Sequence, residues 1–355
     1  MDNVPQEPAK GQYSRENPHD SQGNRLSSDP AKLTCWAISD GAAGNRRQVL
    51  ALADALALGP RVIDLRLRQP WDALAPHACL AARRGMQDRS GQPIAAPWPD
   101  IAIGCGRRAA LLTRCLRGWS GGRCFSVQIL DPRIASRHFN VVVAPRHDRL
   151  VGGNVIETLG ALNPIDNAWL EQGRQCFPAF SALPAPRTAV LIGASNASVT
   201  LDEDWFDALF ERLGRQHAQT GGSYLVSTSR RTPAARRVQL RLQFARWPGM
   251  FWAGPEDGEN PYAGILGWAD RIIVSPDSVN MVSEACATGK PAHVFTIAAL
   301  HGKLATFHAA LRAAGHLLPL HADTTTTHAP LRELPDVAAR IRAIWQGKNH
   351  EYTRA

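Results

Sequence analysis

Polar side chains cluster in the segment SPDSVNMVSE, where a strand predicted at Arg271 to Val274 gives way to a helix predicted at Val279 to Ala287. A second strand, predicted at Ala292 to Phe295, completes this unit. Ser275, Asp277, Ser278 and Asn280 fall in the turn, and Glu284 lies further along the helix. Hydroxyls and backbone N–H groups at a helix N-terminus suit a phosphate, because the unpaired amides and the helix dipole attract negative charge. A carboxylate within the helix can accept two hydrogen bonds from a ribose diol. The pattern predicts phosphate binding at the turn and ribose binding at Glu284. The structural alternatives are helix capping by Ser275 or Asp277 and a solvent-facing Glu284.

A hydroxyl and arginine cluster, STSRRTP, ends another predicted strand. The planar fork of arginine matches phosphate oxygens and can neutralise charge on a diphosphate leaving group. An exposed, solvated arginine pair is the alternative. Gly/Ser/Asn loops and a polar loop after a further strand add weaker candidates. The candidates from these segments are Gly193, Ser195, Asn196, Ser227, Ser229, Arg230, Arg231, Asn260 and Tyr262.

The first predicted strand is followed by a glycine-rich loop, SDGAAGN. Asp40 opens this loop and can act as the general base that takes the proton from an acceptor hydroxyl. Capping of the following helix is an equal alternative for Asp40. His147, after a later strand, is a second candidate base. The remaining candidates of the first half, on the acceptor side, are Gly41, Gly44, Asn45, Arg107, Arg108, Asp131, Arg133 and Arg146, and each charged one can instead be an ordinary surface charge.

The elements that position these residues alternate between short buried apolar runs and helical patterns. This alternation predicts an α/β fold with parallel sheets, in which ligands bind at the carboxyl ends of the strands. A chain of 355 residues is too long for one ordinary core. We therefore predict two Rossmann-like domains that face a cleft, at 31–176 and 188–330, joined by a Pro-rich linker at 177–187. A polar tail at 1–30 is predicted to be disordered, and a helix in 331–355 to dock back on the first domain.

Charge and cysteine content limit the classes of partner and compartment. The formal net charge of +9 favours anionic partners. Nucleic acid is not expected among them, because no basic face is interleaved with aromatic residues. The seven cysteines lack the spacing of a zinc site or a disulfide framework, which indicates a reducing compartment. No apolar run reaches about 18 residues and no secretory signal begins the chain. We expect a cytoplasmic protein that can contact the membrane peripherally from its inner face.

Two motifs are close to those of metal and dinucleotide enzymes. The acidic tripeptide at Asp202 to Asp204 matches D-x-D, but it precedes an apolar helix, whose first turn favours acids. Gly104 and Gly106 lack the third glycine of a dinucleotide fingerprint. We therefore expect neither a metal nor a cofactor.

The motifs SDGAAGNRRQ, IGCGRRAA, QILDPR, NVVVAPRHD, SRRTP and SPDSVNMVSEACATGKPAHVF occur in this order over about 33–345. Together they are similar to the ELM1 family, named for a plant mitochondrial-fission factor and also found in bacteria. The two Rossmann-like halves also resemble GT-B glycosyltransferases. The second resemblance implies that the C-terminal domain holds a nucleotide-sugar, with a helix glutamate on its ribose, and that the N-terminal domain holds the acceptor.

These resemblances imply two alternative functions. The first is a metal-independent GT-B-type glycosyltransferase that moves a sugar from a nucleotide-sugar to a cell-envelope or lipid-linked acceptor at the membrane surface. The second is a non-catalytic adaptor that recruits a protein partner, as described for the plant member. The Ala- and Arg-rich composition and the absence of a targeting signal are typical of a bacterial chain.

Overall fold

The computed structural model describes residues 33–319 and 329–354. The tail predicted to be disordered, at 1–30, lies outside the described residues. In the first half the elements are β1 (Cys35–Ser39), α1 (Ala43–Ala55), β2 (Pro60–Asp64), β3 (Arg66–Leu67), α2 (Trp71–Leu74), β4 (Met86–Gln87), β5 (Ile101–Cys105), α3 (Arg107–Trp119), β6 (Phe125–Ile129), β7 (Val141–Pro145), β8 (Val155–Thr158) and α4 (Asn167–Cys176).

The second half follows the same alternation of strands and helices. Its elements are β9 (Arg187–Ile192), α5 (Glu203–Thr220), β10 (Ser223–Thr228), α6 (Ala234–Phe244), β11 (Gly249–Trp252), α7 (Tyr262–Trp268), β12 (Arg271–Val274), α8 (Val279–Ala287), β13 (Ala292–Val294), α9 (Gly302–Ala313) and α10 (Leu334–Arg354). The predicted strand and helix around the SPDS turn have the bounds of β12 and α8. The predicted last strand of this unit ends one residue early, at Val294.

Each half is built on one parallel sheet. The first has the strand order β2-β1-β5-β6-β7-β8 and the second β11-β10-β9-β12-β13. The chain reverses its direction across the sheet between β1 and β5 in the first half, and between β9 and β12 in the second. Such reversal points open a crevice at the carboxyl ends of the strands, which is where ligands bind in open α/β sheets. The predicted α/β class with two Rossmann-like units is confirmed.

Buried aliphatic side chains cover both faces of each sheet. Leu52 of α1 and Ile103 of β5 are fully buried on one face of the first sheet, and Leu112 of α3 on the other. Each such side chain contributes roughly 1.5–3 kcal/mol relative to exposure. This packing fixes the helices that follow β1 and β5, and with them the loops at the strand ends.

Two helices pack against the half of the chain other than the one in which they lie in sequence. In α10, Val337, Ala338 and Ile341 are buried in the core of the first sheet, and the ring of Trp345 meets Phe125 edge-on at 4.9 Å. In the opposite direction, α4 lies against α7 of the second half, so close that a Cβ on Gly173 would lie 2.3 Å from a backbone oxygen of α7. The domain limits at 176 and 188 stay a prediction.

Among the helices in the described part of the chain, none combines the length and the apolar composition needed to span a lipid bilayer.

Candidate functional site

A cavity of about 460 Å³ lies between the two sheets, where the end of β10 and the start of α8 face the start of α1. Its volume is within the range of small-molecule sites. Both halves of the chain contribute to its wall. The lining residues are Ala42, Ala43, Gly44, Asn45 and Arg47 from the first half, and Leu191, Ser227, Thr228, Ser229, Arg230, Arg231, Trp252, Asn260, Tyr262, Ser278, Asn280, Met281 and Glu284 from the second.

Helices α1 and α8 touch at the edge of this cavity. Gln48 Nε2 donates a hydrogen bond to Asn280 Oδ1 at 3.1 Å. Gly44 faces the same amide, and a Cβ at this position would lie 1.9 Å from Asn280 Nδ2. Gly44 therefore allows the close approach of the two halves.

Glu284 is buried, with 2% of its surface exposed, so the alternative of a solvent-facing glutamate is wrong. Arg47 of α1 donates to Glu284 Oε1, and the Tyr262 hydroxyl donates to Oε2 at 2.6 Å. The negative charge of Glu284 raises the pKa of Arg47, and burial followed by that charge raises the pKa of Tyr262 well above its usual value. Each oxygen therefore already has one protein donor, and a ribose diol would share the carboxylate with Arg47 and Tyr262 or take their places.

Asp277 is the fully buried centre of a hydrogen-bond network. Its carboxylate accepts from the Ser275 hydroxyl at 2.6 Å, from the Ala194 N–H at 3.1 Å and from Arg231 Nη2 at 3.2 Å. A Cβ at Gly193 would lie 2.0 Å from this carboxylate, which explains the small residue there. Asp277 therefore joins β9, β12 and Arg231, and its oxygens are already engaged.

The helix-capping alternative for Ser275 or Asp277 is also wrong. Ser278 is the N-cap of α8, and its hydroxyl accepts from the Met281 N–H at 3.3 Å. Ser278 also lines the cavity. The phosphate predicted at this turn would therefore meet Ser278 and the first backbone N–H groups of α8.

The end of β10 brings hydroxyls and guanidinium groups to the same wall of the cavity. Ser227 and Thr228 are buried, whereas Arg230 and Arg231 are exposed. The Thr228 hydroxyl is buried and has no hydrogen-bond partner among the described residues. A buried unpaired hydroxyl costs about 1–3 kcal/mol. A ligand with polar atoms at this point would remove that cost.

The other donor-side candidates lie in or near this wall. Asn260 and Tyr262 line the main cavity. Gly193 and Ser195 line a smaller adjoining cavity of about 200 Å³ that shares Arg231. Asn196 Nδ2 donates to the backbone oxygen of Asp277 at 3.0 Å. The structure therefore places the second-half candidates in or beside two cavities that share Arg231.

Asp40 lies beside the cavity and not in its wall. Its carboxylate accepts from the Ala42 N–H at 3.0 Å and from Asn45 Nδ2 at 3.1 Å. Ala42 is the N-cap of α1, so the alternative that Asp40 caps this helix is wrong. Asp40 is thus one side chain away from the cavity, through Asn45. Gly41, the next residue, has φ +81°, a conformation that favours glycine.

The arginines proposed for the acceptor side pair with acids outside the cavity wall. Arg108 donates to the Asp72 carboxylate through Nε and Nη2, at 2.6 and 2.8 Å. Arg107 Nη1 donates to the backbone oxygen of Asp72 at 2.7 Å, and Arg146 Nε donates to Glu157 at 2.8 Å. The structure does not bring these side chains together with the donor-side cluster.

His147 lies at a different contact between the two halves. Its ring packs against Phe307 of α9 at 5.2 Å, and burial lowers its pKa. Beside it, Lys303 pairs with Asp131 at 3.8 Å and with Asp148 at 2.7 Å. Arg133 is exposed and donates its backbone N–H to Asp131. The acceptor role of Asp131 and Arg133 and the base role of His147 stay predictions.

The acidic tripeptide after Leu201 has structural roles. Asp202 caps α5 by accepting from the Trp205 N–H at 3.0 Å, and Glu203 pairs with Arg236. Asp202 is the N-cap, and Glu203 and Asp204 lie in the first turn of the helix, as predicted.

Sequence reasoning missed several residues of the cavity wall, above all Arg47. The available signal was spacing, because Arg47 follows Gly44 by three positions on α1 and so faces the same side. Thr228, between the predicted Ser227 and Ser229, was missed although it is the last residue of β10. Trp252 and Met281 carried no local signal.

Comparison with known proteins gives both a family and a fold. A family model described as mitochondrial fission ELM1 matches residues 43–345. The mitochondrial fission protein ELM1 of Arabidopsis thaliana is 30% identical over 288 residues, which are 73% of this chain and 67% of that protein. An uncharacterized protein of Rickettsia prowazekii, RP120, is 26% identical over 300 residues, 74% of this chain and 83% of the other.

Among solved structures, the UDP-GlcNAc 2-epimerase of Neisseria meningitidis bound to UDP-GlcNAc has a similar fold, with a TM-score of 0.53 at 12% identity. The match covers 89% of this chain and 100% of the epimerase. At this identity the match describes the arrangement of the two units.

Proposed function

The chain belongs to the mitochondrial fission ELM1 family and has a GT-B-like fold, and we propose that it is a glycosyltransferase that binds a nucleotide-sugar between its two sheets. The sugar passes to a cell-envelope or lipid-linked acceptor. The observation that carries this proposal is the composition of one cavity wall, where the β10 hydroxyls and two arginines face the N-terminus of α8 and Glu284.

A nucleoside diphosphate needs positive charge for its phosphates and a hydrogen-bond acceptor for its ribose. Arg230 and Arg231 supply the charge, and the unpaired Thr228 hydroxyl supplies a donor beside them. Glu284, which lines the same cavity, supplies the acceptor. The fold match to an enzyme with bound UDP-GlcNAc makes this compound the first probe to use.

The protein donors to Glu284 mark the positions that we expect a ligand to take. Arg47 and Tyr262 each donate to one oxygen of this carboxylate. We propose that two ribose hydroxyls take these positions, so that the buried negative charge keeps its hydrogen bonds throughout. Arg47, which reaches across from the first half, is then released toward the ligand.

In the transfer step, an acceptor oxygen attacks the anomeric carbon while the bond from that carbon to the diphosphate oxygen breaks. The acceptor proton passes to a base, for which we propose Asp40, one side chain from the cavity. The diphosphate leaves with the bonding electron pair. Arg230 and Arg231 stabilise its added charge in the manner of preorganised electrostatic catalysis.

The acceptor is proposed from charge alone. A net charge of +9 favours an anionic compound or the anionic surface that carries a lipid-linked one. The acceptor would approach from the α1 side of the cavity, next to Asp40 and Asn45.

The binding test uses calorimetry with UDP-GlcNAc and with UDP-, GDP- and CDP-linked sugars. We expect Thr228→Val to raise the dissociation constant of the best-binding nucleotide-sugar about tenfold, which corresponds to the free energy of one hydrogen bond. Arg215→Ala, an exposed residue paired with Glu211, is the matched control and should change nothing. If no nucleotide-sugar binds the wild-type chain, the proposal is wrong.

Two further variants separate the roles within the site. Glu284→Gln should weaken the binding of UDP and leave the binding of inorganic pyrophosphate unchanged, because only UDP carries a ribose. Asp40→Asn should abolish transfer of labelled sugar to a lipid extract while UDP-GlcNAc still binds. Transfer that persists in Asp40→Asn would remove Asp40 from the role of base.

The adaptor function is the second candidate, and two observations favour it. The Arabidopsis relative is named a mitochondrial fission protein, and both oxygens of Glu284 already have protein donors. An adaptor would capture a protein partner equally well with the wild-type chain and with Arg230→Glu, and would bind no nucleotide. That combination of results would replace the transferase proposal.

A further inference from the structure

A second open cavity, of about 510 Å³, lies beside α3 and away from the cleft. Two thiols and four basic side chains line it: Cys79, Cys115, Arg114, Arg117, Arg137 and His138. None of these residues lines the 460 Å³ cavity between the two sheets. The combination of nucleophilic sulfur and positive charge is unrelated to the transferase proposal.

The two thiols line the same cavity, where Cys79 packs against the cluster that contains Cys115. Cys79 lies in the loop that follows α2 and is partly exposed, whereas Cys115 lies within α3 and is buried. The neighbouring Cys115 thiol lowers the pKa of Cys79 to about 7, with a smaller effect from Arg114. The proximity of Cys79, with burial, raises the pKa of Cys115. Cys79 is therefore the nucleophile of the pair near neutral pH, because the thiolate is the reactive form.

Three guanidinium groups create a positive field at the mouth of this cavity. After burial, the charges of Arg114, Arg137 and Arg117 are the causes that lower the pKa of His138. Arg114 also donates to the backbone oxygens of Pro76 and His77, at 3.2 and 3.1 Å, and so holds the Cys79 loop on α3. The positive charge is thus fixed next to the thiols.

We propose that this cavity is a redox site that takes a small anionic disulfide and converts Cys79 and Cys115 from a dithiol to a disulfide. The Cys79 thiolate attacks one sulfur of the small disulfide, forms a mixed disulfide and releases one small thiolate. Cys115 then loses its proton and attacks the Cys79 sulfur, which forms the intramolecular bond and releases the second thiolate. Two electrons pass from the protein to the small disulfide, and the two protons leave with its two thiols.

The charges of the cavity predict which disulfides react fastest. Oxidised glutathione carries carboxylates that the arginines attract, whereas cystamine carries ammonium groups that they repel. We expect oxidised glutathione to react about tenfold faster than cystamine at low salt, with the difference shrinking as salt is added. Equal rates for the two compounds would overturn the charge argument and with it the proposal.

The experiment uses the reduced full chain in a Cys176→Ser background, because Cys176 is an exposed thiol that would react independently. Intact-mass and peptide analysis after alkylation should show the loss of two hydrogens and a Cys79–Cys115 linkage. Cys115→Ser should instead accumulate one glutathionyl group on Cys79, because the resolving thiol is gone. Cys79→Ser should give no modification at Cys115. A mixed disulfide that is absent from Cys115→Ser would refute the mechanism.

Arg137→Ala keeps the test informative if a cysteine variant fails to fold. Arg137 is exposed, and its backbone oxygen accepts a hydrogen bond from Arg117 that the alanine variant keeps, so removal of the side chain should leave the fold intact. We expect this variant to react more slowly with oxidised glutathione and no more slowly with cystamine. Slower reaction with both compounds would indicate that the substitution changed the reactivity of the thiols and not the attraction of the anionic disulfide. That result would contradict the proposal.

Discussion

Two arginine pairs follow strand ends in this chain, and their side chains differ in position and in hydrogen-bond partners. Arg107 and Arg108 follow β5, and both are engaged by Asp72 of α2. Arg230 and Arg231 follow β10 and line the cleft cavity. The same sequence feature therefore produces a surface ion pair in the first half and a candidate phosphate site in the second.

The difference lies in the acid beside each pair. Among the described residues, the donors to the Asp72 carboxylate are arginines, namely Nε and Nη2 of Arg108 and Nη2 of Arg107. Asp277 is buried and accepts from Ser275 and Ala194, so it takes only one hydrogen bond from Arg231. Arg231 keeps most of its N–H groups for a ligand. An arginine at a strand end is available to a phosphate only where the neighbouring acid is satisfied from elsewhere.

The largest expected effect tests this view of the two acids. Asp277→Ala leaves the Ser275 hydroxyl and the Ala194 N–H without their acceptor inside the protein, which costs about 2–4 kcal/mol of unfolding free energy. Asp72→Ala should cost no more than about 1 kcal/mol, because the freed guanidinium groups return to water. Urea unfolding of both variants measures the difference.

Asp277→Asn is the control, since its amide oxygen still accepts one hydrogen bond and the loss should be smaller than in Asp277→Ala. Equal losses in Asp277→Ala and Asp72→Ala would show that the buried network does not distinguish the two pairs.

The next effect concerns the arginines that contact each acid. Arg231→Ala should raise the dissociation constant of UDP-GlcNAc about ten- to hundredfold, because a charge-assisted hydrogen bond contributes about 1.5–3 kcal/mol. Arg108→Ala should leave the dissociation constant within about twofold, since its fork is used by Asp72. Calorimetry under the same salt conditions compares them. Weakening by both variants would place the first pair in the binding site as well.

The sequence predicted the fold and the second-half cluster better than the role of single residues. Strand and helix alternation is a local pattern, so β12 and α8 were obtained with their bounds. Helices α6 and α9 and the hairpin of β3 with β4 were not predicted, because Pro- and Arg-rich or weakly periodic segments carry little local signal.

The partners of individual side chains depend on contacts across the chain and could not be read locally. Glu284 meets Arg47 across 237 positions, and Asp277 meets Arg231 across 46. The burial of Glu284 and the pairing of Arg108 with Asp72 follow from tertiary packing, so a pattern of residue types could only propose these side chains as candidates.

A smaller effect on nucleotide-sugar binding is expected at the first arginine of each pair, Arg230 in the second half and Arg107 in the first. Arg230 is exposed at the cavity edge, so its contact with a phosphate is shared with water. Arg230→Ala should weaken UDP-GlcNAc by about fivefold, corresponding to about 1 kcal/mol. Arg107→Ala should have no effect on binding. The same titrations measure both, and a loss with Arg107→Ala that matched Arg230→Ala would contradict the distinction.

The smallest effect is the pH dependence of the first pair. The hydrogen bond from Arg108 lowers the pKa of Asp72 below its ordinary value of 3.8. A carboxyl whose pKa is lower in the folded state binds its proton more readily in the unfolded state, so folding is stabilised above that ordinary value and loses this contribution as the pH falls through the folded pKa. The unfolding free energy of the wild type should exceed that of Asp72→Asn by less than about 1 kcal/mol at neutral pH, since the pair is near the surface. The two proteins should converge as the pH falls below the ordinary value of 3.8 and through the lowered folded pKa, where Asp72 becomes protonated. Urea unfolding across this pH range measures the difference, and a constant gap would show that the first arginine pair is held by something other than the Asp72 charge.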